Sequence, residues 1–105
     1  MRIQITMEGG FAGLSRSDTI DTSTLSPKEA SELEGLIRSA RFFEQPARAN
    51  APPAGAADYR QYTITIEDGG RRHTVVATDP INDAALQSLV RQVQAHAKAQ
   101  RAAGR

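Results

Sequence analysis

Two histidines are the residues of this chain whose chemistry would first point to catalysis. His73 falls in a predicted strand and His96 near the end of a predicted helix. A hydrolytic triad needs a nucleophile, a base and an orienting group, and neither histidine lies in a recognisable nucleophile motif. Neither has the H-E-x-x-H or paired-cysteine spacing of a zinc site. The sequence therefore predicts a protein that is not an enzyme and holds no metal or cofactor.

Carboxylates and glycines near predicted turns give no stronger signal for chemistry. Glu8, Glu67 and Asp68 are acidic, and paired carboxylates can perform acid–base catalysis. Acidic residues at hairpin ends are explained more simply by solvation and turn geometry. The letters G-G-F-A-G at residues 9–13 lack the G-x-G-x-x-G spacing of a dinucleotide site, and no well-capped helix begins there.

Composition narrows the class of protein further. The chain has 105 residues, of which 39% are hydrophobic and 24% charged, which is typical of one folded domain. It contains no cysteine, which excludes disulfides, thiolate zinc sites and cysteine nucleophiles. The formal net charge of +1 does not favour a general nucleic-acid binder.

The basic C-terminal end keeps a nucleic-acid contact open as an alternative. Arg91, Lys98, Arg101 and Arg105 have no acidic residue among them. Such a cluster can contact phosphate, but basic residues at the end of a helix also complement the helix dipole.

The N-terminal segment lacks the apolar core of a signal peptide, and no run approaches the ~18 apolar residues of a membrane span. We therefore expect a cytoplasmic protein, a monomer when free, with no membrane contact and with nucleic acid disfavoured as a partner.

Alternation of apolar and polar residues predicts four strands in two hairpins, at residues 1–8, 15–22, 59–66 and 73–78. A helix follows each hairpin. The first begins with Ser26 as N-cap, Pro27 in the first turn and Glu29 completing a capping box. The second opens after Asp79–Pro80, with Asp79 or Asn82 as its cap.

The predicted fold is α+β: a four-stranded antiparallel sheet of two hairpins, with two helices packed on one face, in the order β-β-α-β-β-α. Residues 1–97 form a single domain with a flexible loop at about 45–58. Residues 98–105 form a basic, disordered tail. The other face of the sheet, with Gln4, Thr63, Thr65 and Thr74, is polar and faces solvent.

The glycine loop "GGFAG" raises a question because a turn needs glycine but does not need phenylalanine. Phe11 either folds back onto the core, as most phenylalanines do, or stands exposed between Gly9–Gly10 and Gly13 as an anchor for a partner's pocket. With catalysis unsupported, a binding module that uses its surface loops remains. A protein-interaction domain of unassigned partner is the general form of that hypothesis.

Several segments together resemble the emfourin family. They are "MRIQI" and "GGFAG", then "DTSTLSPKEASEL", then Phe42–Phe43, and finally "YTITIEDGGRRHTV". The resemblance covers roughly residues 1–93. The loop at 45–58 and the tail have no counterpart in it. Emfourins are small bacterial protein inhibitors of thermolysin-like (M4) zinc metalloproteases such as protealysin.

The resemblance implies a cytoplasmic inhibitor that protects a cell from its own protease. In one hypothesis Phe11 or Leu14 fills the apolar S1′ pocket beside the catalytic zinc, while Glu8 or Asp68 reaches the metal. In a second, Phe11 is part of the core and the "EDGGRR" turn or the basic tail covers the mouth of the cleft. The predicted protease-binding residues are drawn from both hairpin ends: Gly9, Gly10, Phe11, Ala12, Gly13, Leu14, Asp68, Gly69, Gly70 and Arg71.

Overall fold

Five strands and two α-helices make up the part of the chain that the computed structural model describes, residues 1–9, 14–50, 60–79 and 81–103. In chain order they are β1 (Arg2–Gly9), β2 (Leu14–Asp21), α1 (Pro27–Ser39), β3 (Arg48–Asn50), β4 (Arg60–Asp68), β5 (Arg71–Thr78) and α2 (Ala84–Ala103). The predicted α+β fold and the order β-β-α-β-β-α are confirmed. The short strand β3 is an addition to that order.

The sheet runs in the order β2-β1-β4-β5-β3. Pairing is antiparallel for β1 with β2, β1 with β4, and β4 with β5. These strands form the predicted four-stranded antiparallel sheet. The strand β3 pairs parallel with β5, and the Ala47 carbonyl accepts the Val76 N–H at 2.7 Å.

The strand β3 lies within the segment at 45–58 that the sequence predicted as a flexible loop. The letters Arg-Ala-Asn contain no β-branched or aromatic residue, so propensity gave no strand signal. Backbone pairing with β5 makes the strand. The remainder of the predicted loop, residues 51–58, lies outside the described residues.

The core lies between one face of the sheet and both helices. Alternate residues of each long strand point into it, as the period-two pattern requires. The buried side chains form one cluster that joins strands and helices: Ile3, Ile5, Ile20, Leu33, Ile37, Ala40, Phe42, Tyr62, Ile64, Ile66, Val75, Ala77, Ile81, Leu86, Leu89, Val90, Val93 and Ala97. On the opposite face of the sheet, Gln4 and Thr74 are exposed.

Helix α1 begins as the sequence predicted. The Ser26 hydroxyl accepts the Glu29 backbone N–H at 3.2 Å, and the Glu29 carboxylate accepts the Ser26 backbone N–H at 3.3 Å. Pro27 stands in the first turn, where its missing N–H costs nothing. Phe42, just beyond the other end of the helix, is 1% exposed. Because it packs in the core, it holds this end of α1 against the sheet.

Helix α2 begins at a different residue from the predicted cap. Asp83 precedes the helix, and its carboxylate accepts the backbone N–H groups of Ala85 and Leu86 at 3.0 and 3.1 Å. The prediction of Asp79 or Asn82 as cap was wrong. Asp79 instead accepts the Tyr62 hydroxyl at 3.0 Å, and Ile81 is buried, which places the start of the helix after residue 82.

The end of α2 also differs from the expectation. The predicted domain ended at residue 97 and the predicted disordered tail covered 98–105, whereas α2 continues to Ala103. Contacts with β2 hold this extension, since Arg101 pairs with Asp18 at 2.5 Å. Residues 104–105 lie outside the described residues.

The cap assignment predicts different effects for two neighbouring alanine substitutions. Asp83→Ala should lower the free energy of unfolding by about 1 kcal/mol, since two helix N–H groups lose their acceptor. Asn82→Ala, at an exposed position, should change it by less than about 0.5 kcal/mol. Urea unfolding of both variants measures this. Equal losses would contradict Asp83 as the cap.

The Asp83 cap also predicts a pH dependence. The hydrogen bond from the Leu86 N–H, the largest cause, lowers the pKa of the Asp83 carboxyl below its ordinary value. A carboxyl whose pKa is lower in the folded state stabilises the fold above its unfolded pKa, and this stabilisation is lost as the pH falls through the folded pKa. The difference in unfolding free energy between wild type and Asp83→Ala should therefore be full at pH 7 and shrink below about pH 4.

Candidate functional site

The predicted contact residues fall on two hairpin ends. The first, here called the loop end, is where β1 finishes at Gly9 and β2 begins at Leu14. These two residues are paired across the hairpin, and Gly9 has φ +90°, a conformation that glycine adopts without strain. Gly10, Phe11, Ala12 and Gly13 lie outside the described residues. The question of whether Phe11 is exposed or part of the core therefore stays a prediction.

The second group lies at the turn end, where β4 finishes at Asp68 and β5 begins at Arg71. Gly69 and Gly70 alone form the turn between these paired residues. Gly69 has φ +63°, whereas Gly70 is not in the left-handed region. A positive φ at the first central residue only is the pattern of a type II′ hairpin turn, which matches the right-handed twist of the strands.

The register of the sheet places these two groups at opposite ends. Along β1, Gly9 faces Arg60 and Arg2 faces Glu67. The loop end is therefore beside the start of β4, and the turn end is beside its finish. At about 3.4 Å per residue, β1 separates them by roughly 24 Å. The sequence named both segments as contacts, but the structure does not bring them together.

At the turn end the charged side chains already interact with their own chain. The guanidinium of Arg71 lies over the Phe43 ring, 4.1 Å from its centroid, and also pairs with Asp68 at 3.2 Å. A cation–π contact at an exposed site contributes about 0.5–1 kcal/mol. Phe43 in turn meets Phe42 edge to face, with ring centroids 5.7 Å apart. These contacts link the β4–β5 turn to the segment that follows α1.

A shallow depression of about 340 Å³ lies beside this turn. Its walls combine the apolar surface of Ile37 and Phe43 with charged groups of both signs, including Arg38, Arg41 and Glu34. Arg41 has φ +50°, the one positive value at a residue other than glycine within the described ranges. The position directly follows the last turn of α1, where a left-handed residue commonly ends a helix.

At the loop end a partly buried hydrogen-bonded pair, Tyr62 and Asp79, joins the neighbouring strands. Tyr62 is 5% exposed and donates its hydroxyl to the Asp79 carboxylate, while the Asp79 N–H donates to the Arg60 carbonyl at 2.9 Å. Burial, followed by the hydrogen bond to Asp79, raises the pKa of Tyr62. The pair was not predicted, because it joins a residue of β4 to the residue that directly follows β5, and the sequence does not state the register of these strands.

The two carboxylates proposed to reach a partner's zinc are separated in the same way. Glu8 is exposed on β1 beside Gly9, opposite Ser15 and Gln61. Asp68 lies at the turn end and is occupied by Arg71. If the glycine loop enters a cleft, Glu8 is the carboxylate of the two that accompanies it.

His73, one of the two histidines considered for catalysis, contacts residues of its own chain. The Nε2 of His73 is 2.6 Å from the Gln45 carbonyl oxygen, and its ring packs edge to face on Phe42 with centroids 5.7 Å apart. His96 lies on α2. Within the described ranges, no group of three or more His, Cys, Asp or Glu residues is arranged to hold a metal ion.

The basic end of α2 packs against β2. Arg101 pairs with Asp18, whose side chain is 13% exposed, and the Gln100 side-chain amide donates to the Thr19 carbonyl at 2.8 Å. One of the four basic residues considered for phosphate contact is thus neutralised. This pairing weakens the nucleic-acid alternative.

In the described part of the chain, no helix is both long enough and apolar enough to cross a membrane.

The described residues form a small α+β domain with its two hairpin ends at opposite ends of the sheet. The chain belongs to the Emfourin family, whose family model matches residues 5–94. This confirms the resemblance found in the sequence, and the family is one of protease inhibitors. In the other comparisons, neither a curated protein nor a solved structure matches.

The turn geometry predicts opposite outcomes for its two glycines. Gly69→Ala forces a Cβ into the left-handed region and should lower the free energy of unfolding by about 1–2 kcal/mol. Gly70→Ala has open space around its Cβ and should leave stability unchanged or raise it by up to about 1 kcal/mol. Thermal unfolding of both variants tests this, and an equal effect at the two positions would contradict the type II′ assignment.

Proposed function

We propose that this protein inhibits thermolysin-like (M4) zinc metalloproteases, such as protealysin, by inserting residues 9–14 into the active-site cleft. Membership of a protease-inhibitor family supports inhibition. The observation that carries the choice of surface is the sheet register, which separates the loop end from the turn end. A single cleft therefore engages one end or the other.

Contacts within the chain favour the loop end over the turn end. Arg71 and Asp68 interact with each other and Arg71 covers Phe43. Using these side chains against a partner would break contacts that the free protein already has. At the loop end the two strands are paired up to Gly9 and Leu14, and the contacts that the structure describes for these two residues are this backbone pairing and that of Gly9 with Arg60.

On this proposal the apolar group of the loop, Phe11 or Leu14, fills the S1′ pocket beside the catalytic zinc. Glu8 is the carboxylate near enough along the chain to approach the metal. The zinc belongs to the protease, and the inhibitor supplies no metal of its own. Because β1 is held on both sides by paired strands, the loop is carried on a rigid base, and docking loses little conformational entropy.

The pairing of Gly9 with Leu14 also supports resistance of the inserted loop to cleavage. A peptidase holds its substrate as an extended segment on both sides of the bond that it hydrolyses. Gly9 and Leu14 are paired, so their Cα atoms are about 4.5–5.5 Å apart. On the proposed function, a segment whose two ends are held this close fills the cleft without adopting the extended form that a peptidase cleaves.

We further propose that the protein acts as a monomer in the cytoplasm of a bacterial cell that makes such a protease. Its role there is to protect the cell from that enzyme. This part of the proposal rests on the family resemblance.

Replacing Phe11 by Ala should raise the inhibition constant for thermolysin by roughly 30- to 1000-fold, the effect of losing an anchor worth about 2–4 kcal/mol. Phe11→Leu, which keeps an apolar group, should retain most of the inhibition. Steady-state inhibition assays measure both constants, and circular dichroism checks folding.

Arg71→Ala at the turn end is the matched control and should inhibit as wild type does. Loss of inhibition in Arg71→Ala with full inhibition by Phe11→Ala would move the contact to the turn end. Unfolding of Phe11→Ala would place Phe11 in the core. A wild-type protein that leaves thermolysin activity unchanged at large molar excess would exclude the proposed function.

A further inference from the structure

The strand β2 lies at one edge of the sheet, with β1 on one side and no described strand on the other. In an antiparallel strand, successive residues direct their N–H and C=O groups to alternate sides. The Thr22 N–H bonds to Met1 on β1, and the Thr19 carbonyl bonds away from β1, to Gln100. The even-numbered residues of β2 therefore bond to β1, and the odd-numbered residues direct their backbone groups outward.

The outward groups of β2 are not equally available. In its second half the Thr19 carbonyl accepts from Gln100, and the Asp21 carbonyl accepts the Thr24 hydroxyl at 2.7 Å. Arg101 and Asp18 fix α2 against this half of the strand. In the first half, no residue that the structure describes bonds to the outward backbone groups of Ser15 or Ser17. We call this pair, Ser15 and Ser17, the open edge.

The open edge adjoins the loop end. Ser15 directly follows Leu14 and is paired with Glu8. Ser17 lies two residues further, about 7 Å along the strand. Both residues are exposed. Together they present two N–H donors and two C=O acceptors in the geometry that an added strand requires.

We propose that the open edge pairs with an extended segment of the protease beside its active-site cleft, so that the inhibitor and enzyme share a β-ladder. The inference rests on the proposed function, which puts residues 9–14 in the cleft and hence Ser15 and Ser17 at its wall. A peptidase recognises an extended chain by backbone hydrogen bonds, the same mode by which a strand is added to an exposed sheet edge.

Pairing with the protease would explain why the two halves of the outer edge of β2 differ. A protein protects an exposed edge strand against unwanted pairing by covering it or charging it. Here α2 covers the half of β2 far from the loop end, whereas no residue in the described ranges covers the half near it. The backbone ladder would add binding without demanding particular side chains on the protease.

Ser17→Pro tests the ladder. Proline removes the outward N–H but no bond to β1, and it is tolerated at edge positions of this kind. We expect a folded protein whose inhibition constant for thermolysin rises at least tenfold. Ser17→Ala is the matched control. It loses the exposed hydroxyl contact with Thr6 but keeps the backbone N–H, and it should inhibit as wild type does.

The outcomes separate the two proposals. If wild type inhibits and Ser17→Pro inhibits equally well, the ladder is wrong and the proposed function stands. If wild type does not inhibit, both are wrong. Should Ser17→Pro fail to fold, amide hydrogen exchange of the wild-type protein decides the matter instead.

In the free protein the Ser15 and Ser17 amides should exchange fast and the Arg16 amide slowly, since Arg16 bonds to β1. On binding an inactivated M4 protease, the exchange of Ser15 and Ser17 should slow at least tenfold. Unchanged exchange in a formed complex would overturn the ladder. Slowing in the free protein that grows with its concentration would also overturn it, and would assign the open edge to a second copy of the chain.

Discussion

The register between β1 and β4 is the constraint on which the function of this fold depends. Because Arg2 faces Glu67 and Gly9 faces Arg60, the loop end and the turn end lie at opposite ends of the sheet. In the sequence, the loop end and the turn end are equally good candidates for binding a partner. Their separation in the fold means that one partner cleft can contact only one of them. On the proposed function, the sheet register therefore leaves one question, which is whether the loop end or the turn end enters the cleft of the protease.

The two ends are built differently. At the turn end, a two-glycine turn is fastened to the end of α1 through Arg71, Phe43 and Asp68. At the loop end, the Tyr62–Asp79 pair supports the strands from within the protein. Among the residues that the structure describes, none bonds to the outer edge of the first half of β2 there. A rigid base below a short loop is the arrangement that lets binding energy go into contacts instead of ordering the chain.

The parts of the structure that local patterns govern were predictable. The alternation around Ile3, Ile5 and Ile64 predicted strands, and Ser26 with Glu29 predicted the start of α1. Where several residues were locally equivalent, the sequence could not choose. Asp79, Asn82 and Asp83 are all good caps, and tertiary contacts of Asp79 with Tyr62 decide among them. Strand β3 and the Arg101–Asp18 pair depend on neighbours distant in the chain. For the candidate site, the sequence predicted contacts at both hairpin ends, which remains a prediction, but it did not give the register that separates them.

The absence of native cysteine permits the most direct test of which end binds. Glu8→Cys at the loop end and Arg72→Cys at the turn end both lie on the polar face of the sheet, and each is compared before and after coupling to a bulky maleimide. The account predicts that the adduct at position 8 abolishes inhibition of thermolysin beyond any effect of the unlabelled variant, while the adduct at position 72 leaves the inhibition constant unchanged. Full inhibition by the position 8 adduct, with loss at position 72, would contradict it.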